Sequence, residues 1–509
     1  MTRIHDLAVR RPGKVAICLP GRDRTLTYAE LDERAHRVAH WLIALGLAPG
    51  EGIAMLLENH ERFMEIALGA RRAGLYFTPL STHLKTREIA HVLKDCGARI
   101  LVTSAAMADL AQTIEAHGVT EGLDCFMIDG VASGYASFEA AVAATDASGP
   151  LPERPVGRDF LYSSGTTGLP KGIRKELIAH ADAGKLHYEV ISWQETFGFG
   201  EEAVYLSTAP LYHAGPLRYL MRTLDTGGTA IVMEKFDAER ALALIERYRV
   251  THSQWVPTMF VRLLDLPQEV RERYDLGSLR AAIHAAAPCA PHVKERMIAW
   301  WGPVIHEYYS GSESVGLTSL DAHEWLAHKG SVGRAKFGTI HIVDEDGNEL
   351  PVGEIGCVFF EGGPRFEYHN DPEKTRGAYN GKGWATYGDL GHVDADGYLY
   401  LSERRSDLII SGGVNLYPQE VENVLSEHPA VGDVAVIGIP NAEFGEEVRA
   451  VVQPRDPREA DAALADELIA FCRERLSGVK VPRSVVFEDA LPRQENGKLL
   501  RRVLKERYR

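Results

Sequence analysis

Thr27-Tyr-Ala-Glu30, the apolar positions Leu31, Ala35, Val38, Leu42 and Leu45, then Gly46 and the stretch Gly52-Ile-Ala-Met-Leu-Leu57 decide the fold class. Thr27 and Glu30 form a capping-box pattern, in which the hydroxyl accepts from the Glu30 amide and the carboxylate returns to the backbone of Thr27. The apolar residues that follow step by three and four along one helical face, and Gly46 suits the C-terminal cap. The apolar run that comes next is short enough to be a buried strand. Outward from this unit the alternation repeats. A helix is expected from Glu61 to Arg72, ending near Gly74, then a strand Tyr76–Leu80, a helix Glu88–Lys94 and a strand Arg99–Thr103. Further strands are expected at Ala203–Ser207, Thr229–Met233 and Leu279–Ala285, with helices at Ala238–Tyr248 and His292–Trp301. Helices alternating with short apolar strands predict an α/β fold with a parallel sheet covered on both faces.

From Gly338 the texture becomes β-rich, with turn signals at Asp346-Gly-Asn348 and Asp396-Gly397. Beyond Arg404 a compact α+β unit is expected, joined near Ser406. It comprises a helix Pro418–Leu425 capped near Asn415, strands Val434–Ile439 and Val448–Gln453, a helix Ala462–Leu476 and a strand Ser484–Phe487. Pro454–Ala463 reads as a variable loop. The predicted organisation is a large layered α/β region over 1–405 with a β-rich part, and a small mobile lid over 406–509.

The 509 residues are too many for one small core at about 100–200 residues per domain. Lys and Arg number 56 and Asp and Glu 71, for a formal charge of −15. That field repels nucleic acid and anionic membrane, so any phosphate must be held by a local cluster of donors. The six cysteines are scattered without zinc-like spacing, which points to a reducing, cytoplasmic setting rather than a disulfide framework. No signal peptide and no membrane span are expected, because charges interrupt every long apolar run.

Such a donor cluster occurs at Tyr162-Ser-Ser-Gly-Thr-Thr-Gly-Leu-Pro-Lys-Gly172. Ser163, Ser164, Thr166 and Thr167 supply hydroxyls, Gly165 and Gly168 let backbone amides approach an anion, and Lys171 adds a full positive charge. The segment is not a Walker A loop. Taken alone it reads either as a phosphate cradle or as a plain Ser/Gly surface loop.

This segment resembles the AMP-binding signature of the adenylate-forming superfamily, to which acyl-CoA synthetases, carrier-protein adenylation domains and luciferases belong. Further segments resemble that family's motifs in its order along the chain. They are Ala209-Pro-Leu-Tyr-His-Ala-Gly215, Ala285-Ala-Ala-Pro-Cys289, Tyr309-Ser-Gly-Ser-Glu313, Tyr387-Gly-Asp389, Arg404 to Glu420, and Arg493-Gln-Glu-Asn-Gly-Lys498. The resemblance implies a bacterial acyl-CoA synthetase with ATP, Mg²⁺ and coenzyme A as cofactors.

It also implies roles. Asp389 would accept from the ribose hydroxyls and Arg404 would reach the ribose or phosphates. Tyr309 would stack on adenine, with Glu307 and Tyr308 beside it and Ala286, Ala287 and Pro288 forming the opposite wall. Glu307 stands where the family often has Asn, and either side chain can accept from the adenine amino group. Ser312 replaces the usual Thr at the α-phosphate, and Glu313 would hold Mg²⁺, a hard ion that takes oxygen ligands. Lys498 would stabilise the charge that builds up as a carboxylate attacks the α-phosphate; without the motif it reads as one more lysine in a basic tail. His213 falls where the family has an aromatic residue between the acid and thiol tunnels, and a structural histidine is the competing reading. Ser406 marks the hinge, although the family often has Asp or Lys there. Gly412 and Gly413 would admit the pantetheine arm.

These roles describe a two-step ligase in which acid and ATP give an acyl-adenylate and pyrophosphate, and a thiol then displaces AMP. The segment Tyr212-His-Ala-Gly-Pro216 has no carboxylate to meet an amino acid's ammonium, which a buried site would require. An apolar fatty, steroid-like or otherwise bulky acid is expected instead, with coenzyme A as acceptor. Loading of a carrier-protein phosphopantetheine, adenylate formation without efficient use of coenzyme A, and a catalytically silent nucleotide binder are the alternatives. Trp255, Met259 and Phe260 read equally as pocket lining or as core.

Overall fold

The computed structural model describes residues 3–163, 170–183, 188–404, 407–411, 414–441, 443–494 and 497–508. Two compact units form. One comprises Met1–Trp255, Leu266–Ala282 and Arg365–Thr375, the other Val256–Asp265, Ile283–Pro364 and Arg376–Arg509. The expected boundary falls on residues 405 and 406, which lie outside the described residues.

In the first unit the opening motif folds as its sequence predicts. Thr27 caps the helix Tyr28–Ala44 in a reciprocal capping box with Glu30. Gly46, at a φ of +79°, ends the helix by donating to Ile43, while Leu47 donates to Leu42. A glycine is favoured at this left-handed position. The helix packs closely on Glu61–Arg72: a methyl group at Gly69 would lie 2.4 Å from Val38 Cγ1. Six strands, Ala136–Ser137, Asp124–Ile128, Ala98–Ser104, Gly52–Leu56, Tyr76–Pro79 and Arg158–Asp159, lie side by side in that order, all parallel. Gly52–Leu56 is buried along its whole length, as a strand covered on both faces must be. In a further set of strands, Val15–Leu19, Thr229–Val232, Val204–Ser207 and His252–Trp255 pair in parallel, with Arg24–Thr27 antiparallel at the edge.

In the second unit the texture turns antiparallel. Ile305–Tyr309, Leu317–Leu320 and Arg334–Phe337 pair in sequence, and Thr339–Val343, Gly356–Glu361, Ala385–Val393 and Leu399–Arg404 make a four-stranded sheet. The C-terminal part is built on the hairpin Val431–Asn441 and Gly445–Pro454, with Ser484–Phe487 parallel to the latter. Alternate residues of the hairpin enter two cores. Val436 and Ala450 pack with Leu425, Leu468 and Cys472, whereas Ala435, Ile437 and Val451 pack with Leu504.

One expectation is corrected, and two segments gain detail. Asn415 is no helix cap: it lies in the strand Val414–Leu416, and the helix Pro418–Ser426 starts on the fixed φ of Pro418 after Tyr417. The basic tail is the helix Arg501–Arg507, docked through the fully buried Leu504 and an Arg501–Glu422 pair at 2.6 Å. The loop after Pro454 contains a short 3₁₀ turn, Pro457–Glu459, tied by Arg458 to Asp456. Trp255, Met259 and Phe260 are core residues, 1%, 4% and 0% exposed. All six cysteines are free thiols. Among the described residues no helix is long and apolar enough to cross a membrane.

A buried ion pair braces the first unit. Arg218 donates twice to Asp159 Oδ2, at 2.9 and 3.1 Å. Burial would raise the Asp159 carboxyl, but the positive charges of Arg218, Lys175 and Arg158 outweigh it and hold the group well below the usual carboxylate range. Replacing one partner strands the other charge. Arg218→Met should therefore lower unfolding free energy by about 3–5 kcal/mol, and Arg218→Met with Asp159→Leu should recover most of the loss, both read by urea denaturation.

Candidate active site

The strand Ile305–Tyr309 sends Tyr309 onto Asp389, whose Oδ2 accepts from the phenol at 2.5 Å. Asp389 is 8% exposed and follows Gly388, which sits at a φ of +85° within Ala385–Val393. Its antiparallel partner in register is Arg404. Two of the expected nucleotide residues are thus in hydrogen-bond contact, and the backbone of a third pairs with one of them in strand register.

The expected phosphate and metal residues, Ser312 and Glu313, lie in the loop between Tyr309 and Leu317. Tyr387 pins that loop. Its hydroxyl donates to the Gly316 carbonyl at 2.8 Å, accepts from the Gly316 amide at 3.0 Å and lies 3.3 Å from Ser310 Oγ. Ser310 also donates to the Gly316 carbonyl, at 2.8 Å. The Tyr387 and Tyr309 rings meet edge to face, 5.5 Å between centroids. Burial pushes the Tyr387 phenol up to about 12, so it remains a neutral donor. Close packing demands glycine at 311, where a Cβ would fall 2.4 Å from the Tyr387 ring and 2.6 Å from Glu313 Oε2. Ser314 holds a φ of +59°. A Glu carboxylate and a Ser hydroxyl on a loop held this firmly are hard oxygen donors of the kind Mg²⁺ takes.

The wall segment carries backbone strain of its own. Ala286 has a φ of +78°, a left-handed conformation that costs a residue with a Cβ about 1–3 kcal/mol. Such strain persists where surrounding structure enforces it, commonly at ligand sites. Beside it Glu307 departs from its simple sequence reading as a free acceptor. Its Oε2 takes the Lys294 ammonium at 2.6 Å, and Lys294, from the helix Pro291–Trp301, is fully buried with Nζ 4.8 Å from the centre of the Trp325 ring. Burial raises the Glu307 carboxyl and Lys294 opposes the rise. Burial also pushes the Cys289 thiol up to about 12, aided by the Glu307 charge. Tyr308 alternates to the other face of its strand.

Lys498 closes a turn bridged by Arg493 and Leu499, in which Gln494 donates to the Lys498 carbonyl at 2.9 Å and Gly497 has a φ of +77°. Arg493 anchors the turn, forked onto Asp433 at 2.6 and 2.8 Å and bonded to the Gly497 carbonyl at 2.9 Å. The turn lies on the start of the helix Pro257–Leu264, since a Cβ at Gly497 would sit 2.9 Å from Thr258 Oγ1.

In the first unit, Leu161–Ser163 and Lys171–Arg174 pair antiparallel with Lys171 opposite Ser163. Ser164, Gly165, Thr166, Thr167 and Gly168 lie outside the described residues, as do Ser406, Gly412 and Gly413. His213 is the N-cap residue of the helix Ala214–Asp225 and meets the Tyr212 ring edge-on at 4.7 Å. Sequence reasoning missed Lys294 and Asp433 and gave Tyr387 and Arg493 no role of their own. The last two adjoin or belong to recognised motifs, whereas nothing local marks Lys294.

A family model described as AMP-binding enzyme matches residues 4–364, and one described as AMP-binding enzyme C-terminal domain matches residues 420–498. A feruloyl-CoA synthase from Amycolatopsis is 34% identical over 99% of this chain and 96% of its own length. The long-chain-fatty-acid–CoA ligase FadD13 of Mycobacterium tuberculosis is 32% identical over 99% of this chain and 97% of its own. The crystal structure of ATP-bound MatB from Rhodopseudomonas palustris superposes with a TM-score of 0.83 at 30% identity, covering 100% of this chain and 98% of that one.

Tyr387→Phe should leave the fold intact but free the 310–316 loop. The Gly316 carbonyl keeps Ser310, but stranding its amide costs about 1–3 kcal/mol. The KM for Mg·ATP should rise about tenfold or more in steady-state kinetics, with the circular dichroism spectrum unchanged.

Proposed function

The chain belongs to the AMP-binding enzyme family, and on that footing we propose that it activates an apolar, bulky carboxylic acid as its acyl-adenylate and passes the acyl group to coenzyme A. It is an ATP-dependent acid–thiol ligase whose cofactors are ATP, Mg²⁺ and coenzyme A. The observation that carries the assignment of roles is the Tyr309–Asp389 bond, with Arg404 in register beside it and the Tyr387-pinned loop alongside. In this reading Asp389 holds the ribose, Tyr309 and Ala286–Pro288 flank adenine, and Lys171 with the hydroxyls of residues 163–167 meets the phosphates. Ser312 meets the α-phosphate, and Glu313 is the residue that would hold Mg²⁺, which would neutralise phosphate charge.

In the first step an oxygen of the acid's carboxylate attacks the α-phosphorus, and the bond to the bridging oxygen of pyrophosphate breaks. Lys498, held by the Arg493–Asp433 fork, stabilises the charge that accumulates at that centre. In the second step the thiol sulfur attacks the acyl carbon and AMP departs. Rotation of the lid about Ser406 lets one site serve both steps, and closure keeps water from the adenylate. His213 stands at the acid side, where the neighbouring positions offer no carboxylate to an ammonium. Scattered free cysteines suit a cytoplasmic location.

Similarity to relatives named as CoA ligases supports coenzyme A over a carrier protein as acceptor, and a cavity of about 360 Å³ lies in the C-terminal part. Ser411 and Val414, which bracket Gly412-Gly413, line it together with Phe444 and Arg483, and the guanidinium lies 4.3 Å over the Phe444 ring.

A panel of fatty, aromatic and polycyclic acids assayed for AMP release with coenzyme A should show activity on the apolar members. Equal pyrophosphate release with or without thiol would defeat the acceptor assignment. Lys498→Ala should cut adenylate formation about 10²–10³-fold while sparing thioester formation from supplied acyl-adenylate; equal loss in both half-reactions would remove the division of labour.

A further inference from the structure

Behind the proposed adenine wall lies a buried polar cluster that the mechanism does not use. Lys294 is fully buried on its helix, Glu307 is 7% exposed on its strand, and the two are bonded at 2.6 Å. His284 is buried on the adjoining side, with Nε2 3.6 Å from Glu307 Oε2 and neither ring nitrogen in a hydrogen bond among the described residues. Its ring meets Phe260 at 5.3 Å. Burial, with help from the Lys294 and His306 charges, holds the imidazole well below its ordinary range, so it is a neutral neighbour. Glu307 thus meets one cation, through one oxygen. Its other oxygen, Oε1, accepts nothing from the described residues. It sits two residues before Tyr309 on the same face of the strand, with Cys289 of the wall segment near enough to feel its charge.

An ammonium buried this deeply is costly unless its charge is used. Resting on the nucleotide site proposed above, we infer that Lys294 is a positioning residue for nucleobase specificity: by saturating Oε2 it keeps Glu307 an acceptor-only carboxylate whose Oε1 faces the 6-position of the purine. Such a group accepts from the amino group of adenine and repels the 6-oxo group of hypoxanthine or guanine. Without Lys294, burial favours the neutral acid, whose O–H can donate to a 6-oxo group. Glutamine at 307 would donate in the same way through its amide.

Lys294→Met, Glu307→Gln and the double variant, compared in the full-length enzyme with ATP and ITP as alternative substrates, test the inference. Expected for Lys294→Met is a fall of about tenfold or more in the ATP-over-ITP ratio of kcat/KM, since the hydrogen bond lost is one made to a charged group. The change should come through a higher KM for ATP and a lower one for ITP, with kcat at saturating ATP within a few-fold of wild type. Glu307→Gln should lower the ratio similarly, and the double variant should match it. An unchanged ratio in Lys294→Met, with only a lower melting temperature, would reduce Lys294 to a packing role and overturn the inference. If Lys294→Met fails to fold, the double variant, which leaves no buried charge unpaired, carries the test, and wild-type discrimination there overturns the inference. An unchanged ATP KM and ratio in Glu307→Gln alone would instead remove Glu307 from the nucleobase, and would count against the site reading itself.

Discussion

A carboxylate taken out of water must be given donors, and the second unit is arranged around one such demand at Asp389. Tyr309 answers it from a strand 80 residues earlier in the chain. That contact ties Ile305–Tyr309 to Ala385–Val393, and Arg404 is the strand-register partner of Asp389. Tyr387, two positions before Asp389, reaches the loop that follows Tyr309 and holds both backbone groups of Gly316. One short strand therefore positions the carboxylate assigned to ribose and the loop assigned to phosphate and metal. Preorganisation of this kind is what electrostatic catalysis requires, because the donors need not reorient during the reaction.

The same rule governs charges elsewhere. Arg218 meets Asp159 in the first unit, Lys294 meets Glu307 behind the wall segment, and Arg493 meets Asp433 beneath the lysine turn. Their roles differ with exposure. The first two are deeply buried, where a lone charge would be prohibitive, while the third is partly exposed and acts as a bracket for the turn that presents Lys498. With a net charge of −15, the chain can hold a polyphosphate only through such local placement of cations and donors.

Much of the architecture was legible from periodicity. The capping box at Thr27, the glycine end of that helix and the buried strand after it stand as read, as do the helix Ala238–Tyr248 and the strand Ser484–Phe487. These are local features, set by hydrogen bonds and apolar spacing within a few residues. The errors fall where tertiary packing overrides local signals. Asn415, a good cap in isolation, is drawn into a strand by pairing with Ile410, and the basic segment after Lys498, which the sequence left unassigned, forms a helix because Leu504 has a core to enter.

For the site, the sequence by itself determined the chemical inventory. It marked the hydroxyl-rich, glycine-bearing segment ending in Lys171, Glu313 after Ser312, Asp389 after a glycine and Lys498 after another, because each motif is contiguous and its chemistry is carried by neighbours in the chain. Only the tertiary structure decided which of these groups are occupied by other residues. Glu307 holds Lys294, Asp389 holds Tyr309, and Tyr387 holds a loop rather than a ligand. Side chains 13 to 80 residues apart meet only after strand register and helix packing are set, and no local spacing encodes that meeting.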